Sequence, residues 1–213
     1  MFFQCTTVTD AWFQLIRAAY LFGYRQDVQR GSFADADVRL QLPFASATIE
    51  KPLDDFIPTV PDGVAPPVTR EYVEQYFTDY ILHGRDPDKN EQYTYATRID
   101  DQVDKVCDIL RRTPQTNQAH IVVGRPDDLD IEHPACLREI GFKVVSGALE
   151  MTTFWRSHDL WAGFPANLGA LGMLQEFVAE FCGVDMGVMH YASNGAHVYG
   201  YQVDSVKAKL VIS

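Results

Sequence analysis

The run Arg156-Ser157-His158-Asp159-Leu160-Trp161-Ala162-Gly163-Phe164-Pro165-Ala166-Asn167 carries the densest polar chemistry in the chain. It follows a segment that reads as strand, Lys143 to Trp155, broken at Ser146-Gly147. It precedes the clearest helix, Asn167 to Cys182, in which Leu168, Leu171, Leu174, Val178, Phe181 and Cys182 recur at helical spacing and Gly183 is placed to end the element. Junctions between a strand and a helix are where binding groups gather on a rigid frame. Arg156 offers a planar fork suited to phosphate, with the Ser157 hydroxyl beside it. Asp159 can accept from a donor-rich ring, and Asn167 carries a donor and an acceptor that can read an amide edge. The same side chains have plainer uses, as a helix cap, a turn and a surface ion pair.

Outward from this run the pattern mixes helices and strands without regular strand–helix alternation, which predicts the α+β class. A first helix is capped by Asp10, buries Trp12, Leu15, Ile16 and Ala19 on one face and ends at Gly23. Val38, Leu40 and Leu42 alternate with polar residues as a strand that Pro43 bends or ends and that Phe44 to Ile49 continues. Ile57 to Val68, with Pro58, Pro61, Pro66 and Pro67, excludes helix and central strand, and a surface connection is expected there rather than a loop over a site. Thr69 caps a helix to about His83, stopped by Gly84, and another runs from about Asp101 to Arg112. Ala119 to Val123, Ala196 to Val203 and Lys207 to Ile212 read as strands.

A chain of 213 residues with 46% hydrophobic and 12% aromatic content can bury a core as one domain spanning 1–213. Its formal charge of −11 argues against nucleic-acid polymers and anionic membranes as partners, because both call for a basic face. Positive charge for a phosphorylated ligand must therefore be local. No apolar run approaches a membrane span, the N-terminus lacks a signal peptide, and Cys5, Cys107, Cys136 and Cys182 form no CxxC pair, so reduced thiols and a cytoplasmic location are expected.

Two further features carry chemistry. Cys136, in His133-Pro134-Ala135-Cys136-Leu137-Arg138, sits at a turn before a strand-like segment; a thiol is nucleophilic as its thiolate, which nearby cations favour. Taken alone it reads as an inert thiol. In Ala196-His197-Val198-Tyr199-Gly200-Tyr201, His197, Tyr199 and Tyr201 share one strand face that can hydrogen-bond a hydroxylated ligand or serve as a half-buried, satisfied surface.

Together these segments resemble the thymidylate synthase family. The resemblance rests on Tyr93-Thr94-Tyr95-Ala96-Thr97-Arg98, Asp101-Gln102-Val103-Asp104, Pro134-Ala135-Cys136-Leu137, the Arg156 to Asn167 run and Ala196-His197-Val198-Tyr199. Arg-Ser-x-Asp, with Asn eight residues after the Asp and His-x-Tyr thirty residues on, is specific, and Pro165-Ala166-Asn167 with the short length is most like the short thymidylate synthases of methanogenic archaea. The resemblance implies an α+β sandwich, a mixed sheet with helices around it, forming a homodimer by packing sheets face to face. It implies dUMP or a related pyrimidine nucleotide as substrate and 5,10-methylenetetrahydrofolate as cosubstrate, with no metal. Cys136 would add to C6 of uracil, C5 would attack the folate methylene, and hydride transfer would give thymidylate and dihydrofolate. Arg156 would stabilise the thiolate and, with Ser157, bind the 5′-phosphate. Asn167 would bond the uracil edge, His197 and Tyr199 the sugar hydroxyl, Asp159 the pterin with room left by Gly163, and Tyr95 would belong to the proton-transfer network.

Three differences from the family pattern stand out. Asn117-Gln118 occupy the place of paired arginines that reach the phosphate, with Arg111, Arg112 and Arg125 as candidate replacements. The family's proton-managing glutamate has no clear match, Glu50, Glu71 and Glu74 being the candidates, and Leu137 stands where many members have His. Two alternatives accompany methylation of dUMP: a pyrimidine nucleotide 5-hydroxymethylase of the same family with a relaxed 5′-phosphate requirement, and a catalytically silent binding homologue.

Overall fold

The computed structural model describes residues 1–28, 38–82 and 93–211. The chain opens with β1 (Phe2–Cys5) and α1 (Val8–Phe22). The Thr7 hydroxyl accepts from Asp10 N at 3.2 Å, and the Asp10 carboxylate accepts from Thr6 N at 2.9 Å. Thr7, not Asp10, is thus the cap, and Asp10 bonds the backbone one residue further back, at Thr6. The buried face of α1 holds Val8, Ala11, Trp12, Leu15, Ile16 and Ala19, and Gly23 ends the helix as its sequence foretells.

The expected strand from Val38 to Ile49 is two strands in different sheets, β3 (Val38–Gln41) and β4 (Ala45–Ile49), with Pro43 in the crossing between them. β2 (Tyr24–Asp27) pairs with β3. The proline-rich stretch forms neither helix nor strand, and Lys209 Nζ is bonded to its Thr59 carbonyl at 2.6 Å. Thr69 caps α2 (Arg70–Tyr76), whose axis continues as a π-helical turn over Phe77–Leu82. The expected end of this helix at His83-Gly84 lies outside the described residues. α3 (Ala96–Arg112) begins five residues earlier than Asp101. β5 (His120–Val122) precedes the hairpin of β6 (Leu137–Val145) and β7 (Ala148–Trp155), whose two-residue turn has φ 52° at Ser146 and φ 89° at Gly147, the backbone sign a type I′ connection requires.

β8 (His158–Asp159) leads into α4 (Gly163–Cys182), which starts four residues before Asn167, so Asn167 lies in its first turn rather than capping it. β9 (Asp185–Ser193) and β10 (Ala196–Tyr199) follow. The strand expected to reach Val203 stops at Tyr199 in a 3₁₀ turn, and the expected last strand is instead α5 (Val203–Leu210). There alternation was misleading: a buried Val206 followed by the half-buried Lys207 and Lys209 is a pattern that one turn of helix satisfies as well as a strand does.

The fold is α+β, as the sequence predicts. A six-stranded mixed sheet has the order β1-β4-β9-β7-β6-β5, and a four-stranded one the order β2-β3-β10-β8. One face of the large sheet is buried: the register aligns Phe3, Ala47, Tyr191, Thr153, Ile140 and Ile121 in a row that meets the helices. The other face, where Phe2, Ser46, Ala192, Phe154, Glu139 and Val122 align, is left open, with Phe2 67% and Val122 58% exposed. α4 is the central helix, packing on α1, α2, α3, β7 and β9.

The two sheets meet where the chain steps from one into the other: β3 to β4, β7 to β8 across Arg156-Ser157, and β9 to β10 across Asn194-Gly195. The last two crossings nearly touch. A Cβ at position 195 would lie 2.6 Å from the Arg156 carbonyl oxygen, so only glycine fits.

Within the core, Gln175 of α4 donates from Nε2 to Leu149 O, Gly187 O and Val188 O at 2.8, 3.0 and 3.2 Å, satisfying carbonyls where the β7–β9 register shifts. Gln175→Leu keeps the volume and orphans these acceptors, so it is expected to cost about 2–3 kcal/mol. Urea unfolding measures this, and an unchanged midpoint would show that the carbonyls find other partners.

Candidate active site

A cavity of about 450 Å³ opens at the seam of the two sheets. Its wall is built by α2 and the π-helical turn (Tyr72, Gln75, Tyr76, Asp79, Tyr80), by Tyr93 and Tyr95 ahead of α3, and by Cys136. Ser157, His158, Asp159, Gly163, Asn167, His197 and Tyr199 complete it. Eight of the nine residues proposed from sequence line this one cavity; Arg156, which is exposed, is not among them.

Cys136 is half-buried on the loop that enters β6. Arg156 fixes this loop. Its backbone N–H donates to Cys136 O at 2.9 Å, its Nε to Ala135 O at 3.1 Å and its Nη2 to Pro134 O at 2.6 Å. Arg138 reaches the same loop, donating to Ala135 O at 3.2 Å while bonded to the buried Asp128. Asp128 also pairs with the buried Arg98 at 2.7 Å. Burial opposes its charge, but bonds from Arg98, the Arg125 N–H and Arg138 hold its carboxyl at about 2. Burial pushes the Cys136 thiol up, and the positive charges of Arg156 and Arg138 pull against that rise without reversing it.

Tyrosines surround the thiol. Tyr72, Tyr76 and Tyr80, four residues apart on one helical face, stack at centroid distances of 6.1 and 4.8 Å. Tyr95 is buried, its hydroxyl accepts from Leu137 N at 3.3 Å, and burial raises it well above a free phenol. Burial also raises Tyr93 to about 12, with the neighbouring Cys136 adding to the effect.

On the opposite side, Asp159 accepts from the N–H groups of Trp161, Ala162 and Gly163 at 3.0, 3.4 and 3.3 Å. This turns the chain into α4 and brings Gly163 and Asn167 to the cavity. The Asn167 amide is held at both ends: Tyr76 OH donates to Oδ1 at 2.8 Å, and Nδ2 donates to His158 Nε2 at 3.2 Å. His158 stacks on Trp155 with centroids 3.9 Å apart and planes 7° from parallel. Its burial, then the charge of His197, lower its pKa from 6.5 to about 3, so the ring is neutral at physiological pH. His197 is likewise lowered by burial; its Nδ1 faces Gly195 O at 2.8 Å and therefore carries the proton, leaving Nε2 as a buried acceptor with no hydrogen-bond partner among the described residues. Tyr199 packs edge-on against this ring at 4.6 Å.

The candidate cations and glutamates lie off the cavity lining. Among the described residues no Lys or Arg lines the cavity, and two of the Arg156 nitrogens are spent on backbone carbonyls. Arg111 lies over the Phe181 ring, Arg112 bonds Asp108 O and Arg125 bonds Thr97 O, so none of the three reaches the cavity within one protomer. Asn117 and Gln118 are exposed on the approach to β5. Glu50, Glu71 and Glu74 also lie elsewhere, Glu71 and Glu74 on the outer face of α2; the lining carboxylates are Asp79 and Asp159. The sequence reading missed His158, Gln75, Asp79 and the tyrosines of α2. The spacing of Tyr72, Tyr76 and Tyr80 was a legible signal of a shared face; His158 occupied the variable position of a motif and drew no attention.

Comparison with known proteins follows this geometry. The family model described as "Thymidylate synthase" matches residues 74–211. The chain is 30% identical over 211 residues to a Methanosarcina mazei protein named "Putative thymidylate synthase", covering 96% of this chain and 92% of that one. A Methanothermobacter thermautotrophicus protein of the same name is 28% identical over 227 residues, 98% and 97% of the two chains. An Ascaris suum "Thymidylate synthase" is 27% identical over 151 residues, 70% of this chain and 49% of the relative.

The buried neutral His158 has a consequence for acid stability. Unfolded, it takes up a proton near 6.5; folded, it refuses one until about 3. The unfolded state thus binds more protons in that window, so this group's contribution is whole above 6.5 and is lost as pH falls toward 3. His158→Phe keeps the stack on Trp155 and removes the titration. The fall in thermal midpoint from about pH 7 to about pH 4 is expected to be smaller in the variant; equal falls would contradict a neutral, buried ring.

Proposed function

The chain belongs to the thymidylate synthase family, and on that footing we propose that it methylates dUMP at C5 of the uracil ring. The observation that carries this reading is one cavity holding Cys136, Asn167 and His197 together. The Cys136 thiolate adds to C6, and the electron pair of the C5–C6 bond moves onto O4 as an enolate. Asn167 donates to that oxygen and accepts from the ring N3–H. The bare Nε2 of His197, with Tyr199, receives the sugar hydroxyl. Arg156 holds the Cys136 loop by three bonds, keeping the sulfur in place, and Ser157 meets the phosphate end. Once C5 has lost its proton and its new carbon has been reduced to methyl by the hydride, the enolate expels the sulfur from C6 as thiolate and the ring regains its double bond.

The cosubstrate, 5,10-methylenetetrahydrofolate, supplies the one-carbon unit and the hydride that completes a methyl group. The residues present fit it: the stacked faces of Tyr72, Tyr76 and Tyr80 suit planar rings, and Asp159 with the space at Gly163 suits a donor-rich pterin edge. The open face of the large sheet, with Phe2, Phe154 and Val122 exposed in one row, supports a homodimer formed by packing two such faces.

Dihydrofolate absorbance with dUMP and methylenetetrahydrofolate tests the activity. Dihydrofolate is expected to form with dUMP, not with dCMP, and Cys136→Ser should lower turnover by at least about 10³-fold. Product without an absorbance change would mean hydroxymethylation instead, and comparable turnover of deoxyuridine would mean that the phosphate is not required. Sedimentation equilibrium is expected to give a dimer that Phe154→Arg shifts to monomer; a monomeric parent chain would remove the face-to-face arrangement.

A further inference from the structure

We infer that His158 and Tyr76 select the pyrimidine by locking the Asn167 side chain in one of its two amide orientations. This rests on the reading that a pyrimidine nucleotide occupies the cavity, and it names the groups that decide which one.

A carboxamide is nearly symmetric in shape, and a half-turn exchanges its donor and acceptor. Tyr76 cannot fix the choice alone, because a phenol hydroxyl can donate or accept. His158 can. Its ring is pinned against Trp155 and is only 3% exposed, so it cannot turn over without breaking a close stack. With the Nε2 lone pair facing Asn167, the amide must present Nδ2, at 3.2 Å, and turn Oδ1 to the Tyr76 hydroxyl at 2.8 Å. The reverse orientation would set the Oδ1 lone pairs against that of Nε2 in a desolvated site.

Both bonds made, Asn167 retains one N–H and one lone pair for the ligand. Side by side they complement C4=O and N3–H of uracil. Cytosine offers the inverse, an acceptor at N3 and a donor at N4, and would need the amide reversed. The ring cannot compensate by turning over, because C6 must stay at Cys136 and the sugar at His197. His158 and Tyr76 are positioning residues: they act on the base through Asn167.

Dissociation constants for dUMP and dCMP, measured for the parent chain, His158→Phe and Tyr76→Phe, test this. The parent is expected to prefer dUMP, and the preference should fall at least about tenfold in His158→Phe and by less in Tyr76→Phe. Parallel weakening of both nucleotides with the preference kept would show a merely structural role and overturn the inference. If His158→Phe does not fold, Tyr76→Phe carries the same comparison. A ligand-free readout separates this from the reading it rests on: ¹⁵N NMR of the free protein should show His158 unprotonated at Nε2, and the Asn167 side-chain amide should shift on Tyr76→Phe. A protonated Nε2, or an Asn167 amide indifferent to Tyr76, overturns the lock even if dUMP binds. A parent chain that binds neither nucleotide while showing both NMR signatures fails the functional reading and leaves the lock standing.

Discussion

Two backbone crossings can pass within contact distance only where one has no side chain. At the seam of this protein, Asn194-Gly195 passes Arg156-Ser157, and the missing Cβ of Gly195 makes the approach possible. The bonds that follow depend on it. His158 N donates to Gly195 O at 3.1 Å, Asn194 N to Trp155 O at 3.2 Å and Arg156 N to Cys136 O at 2.9 Å. The first lies where β8 and β10 of the small sheet begin, and the other two close the ends of β6, β7 and β9 in the large one. They bring a thiol, an amide and two imidazoles from segments far apart in sequence into one cavity.

Burial then sets the chemistry of those groups. The same exclusion of water that raises Cys136, Tyr93 and Tyr95 lowers His158 and His197, so every one of them is favoured in its neutral form. A neutral imidazole has one donor and one acceptor nitrogen, whereas a protonated ring has two donors. Arg156 works in the opposite sense. Exposed beside the Cys136 loop, it rigidifies that loop through carbonyls and lends its charge to the sulfur.

Much of this was legible in the sequence. The periodicity of α4 and α1, the cap at Thr69 and the halt at Gly183 are local signals with local causes, and the structure keeps them. The motif spacing picked out Cys136, Asn167, His197 and Tyr199, and the fold brings all four to one cavity. What escaped was non-local or ambiguous. Pro43 marked a break, but nothing in Val38 to Ile49 says that its halves belong to different sheets. Lys207 to Leu210 alternates too briefly to separate strand from helix, and packing of Val206 decided for helix. The Tyr76–Asn167 bond spans 91 residues, and no spacing rule reaches that far.

The cavity wall, free of Lys and Arg among the described residues, has a kinetic consequence. A nucleotide, the substrate proposed above, carries about two negative charges and would approach a chain of net charge −11 with no cation among the described lining residues to draw it in. Repulsion between like charges is cut off by mobile ions within about 8–10 Å at physiological strength. On that proposal, added salt would speed encounter, where in a basic funnel it would slow it.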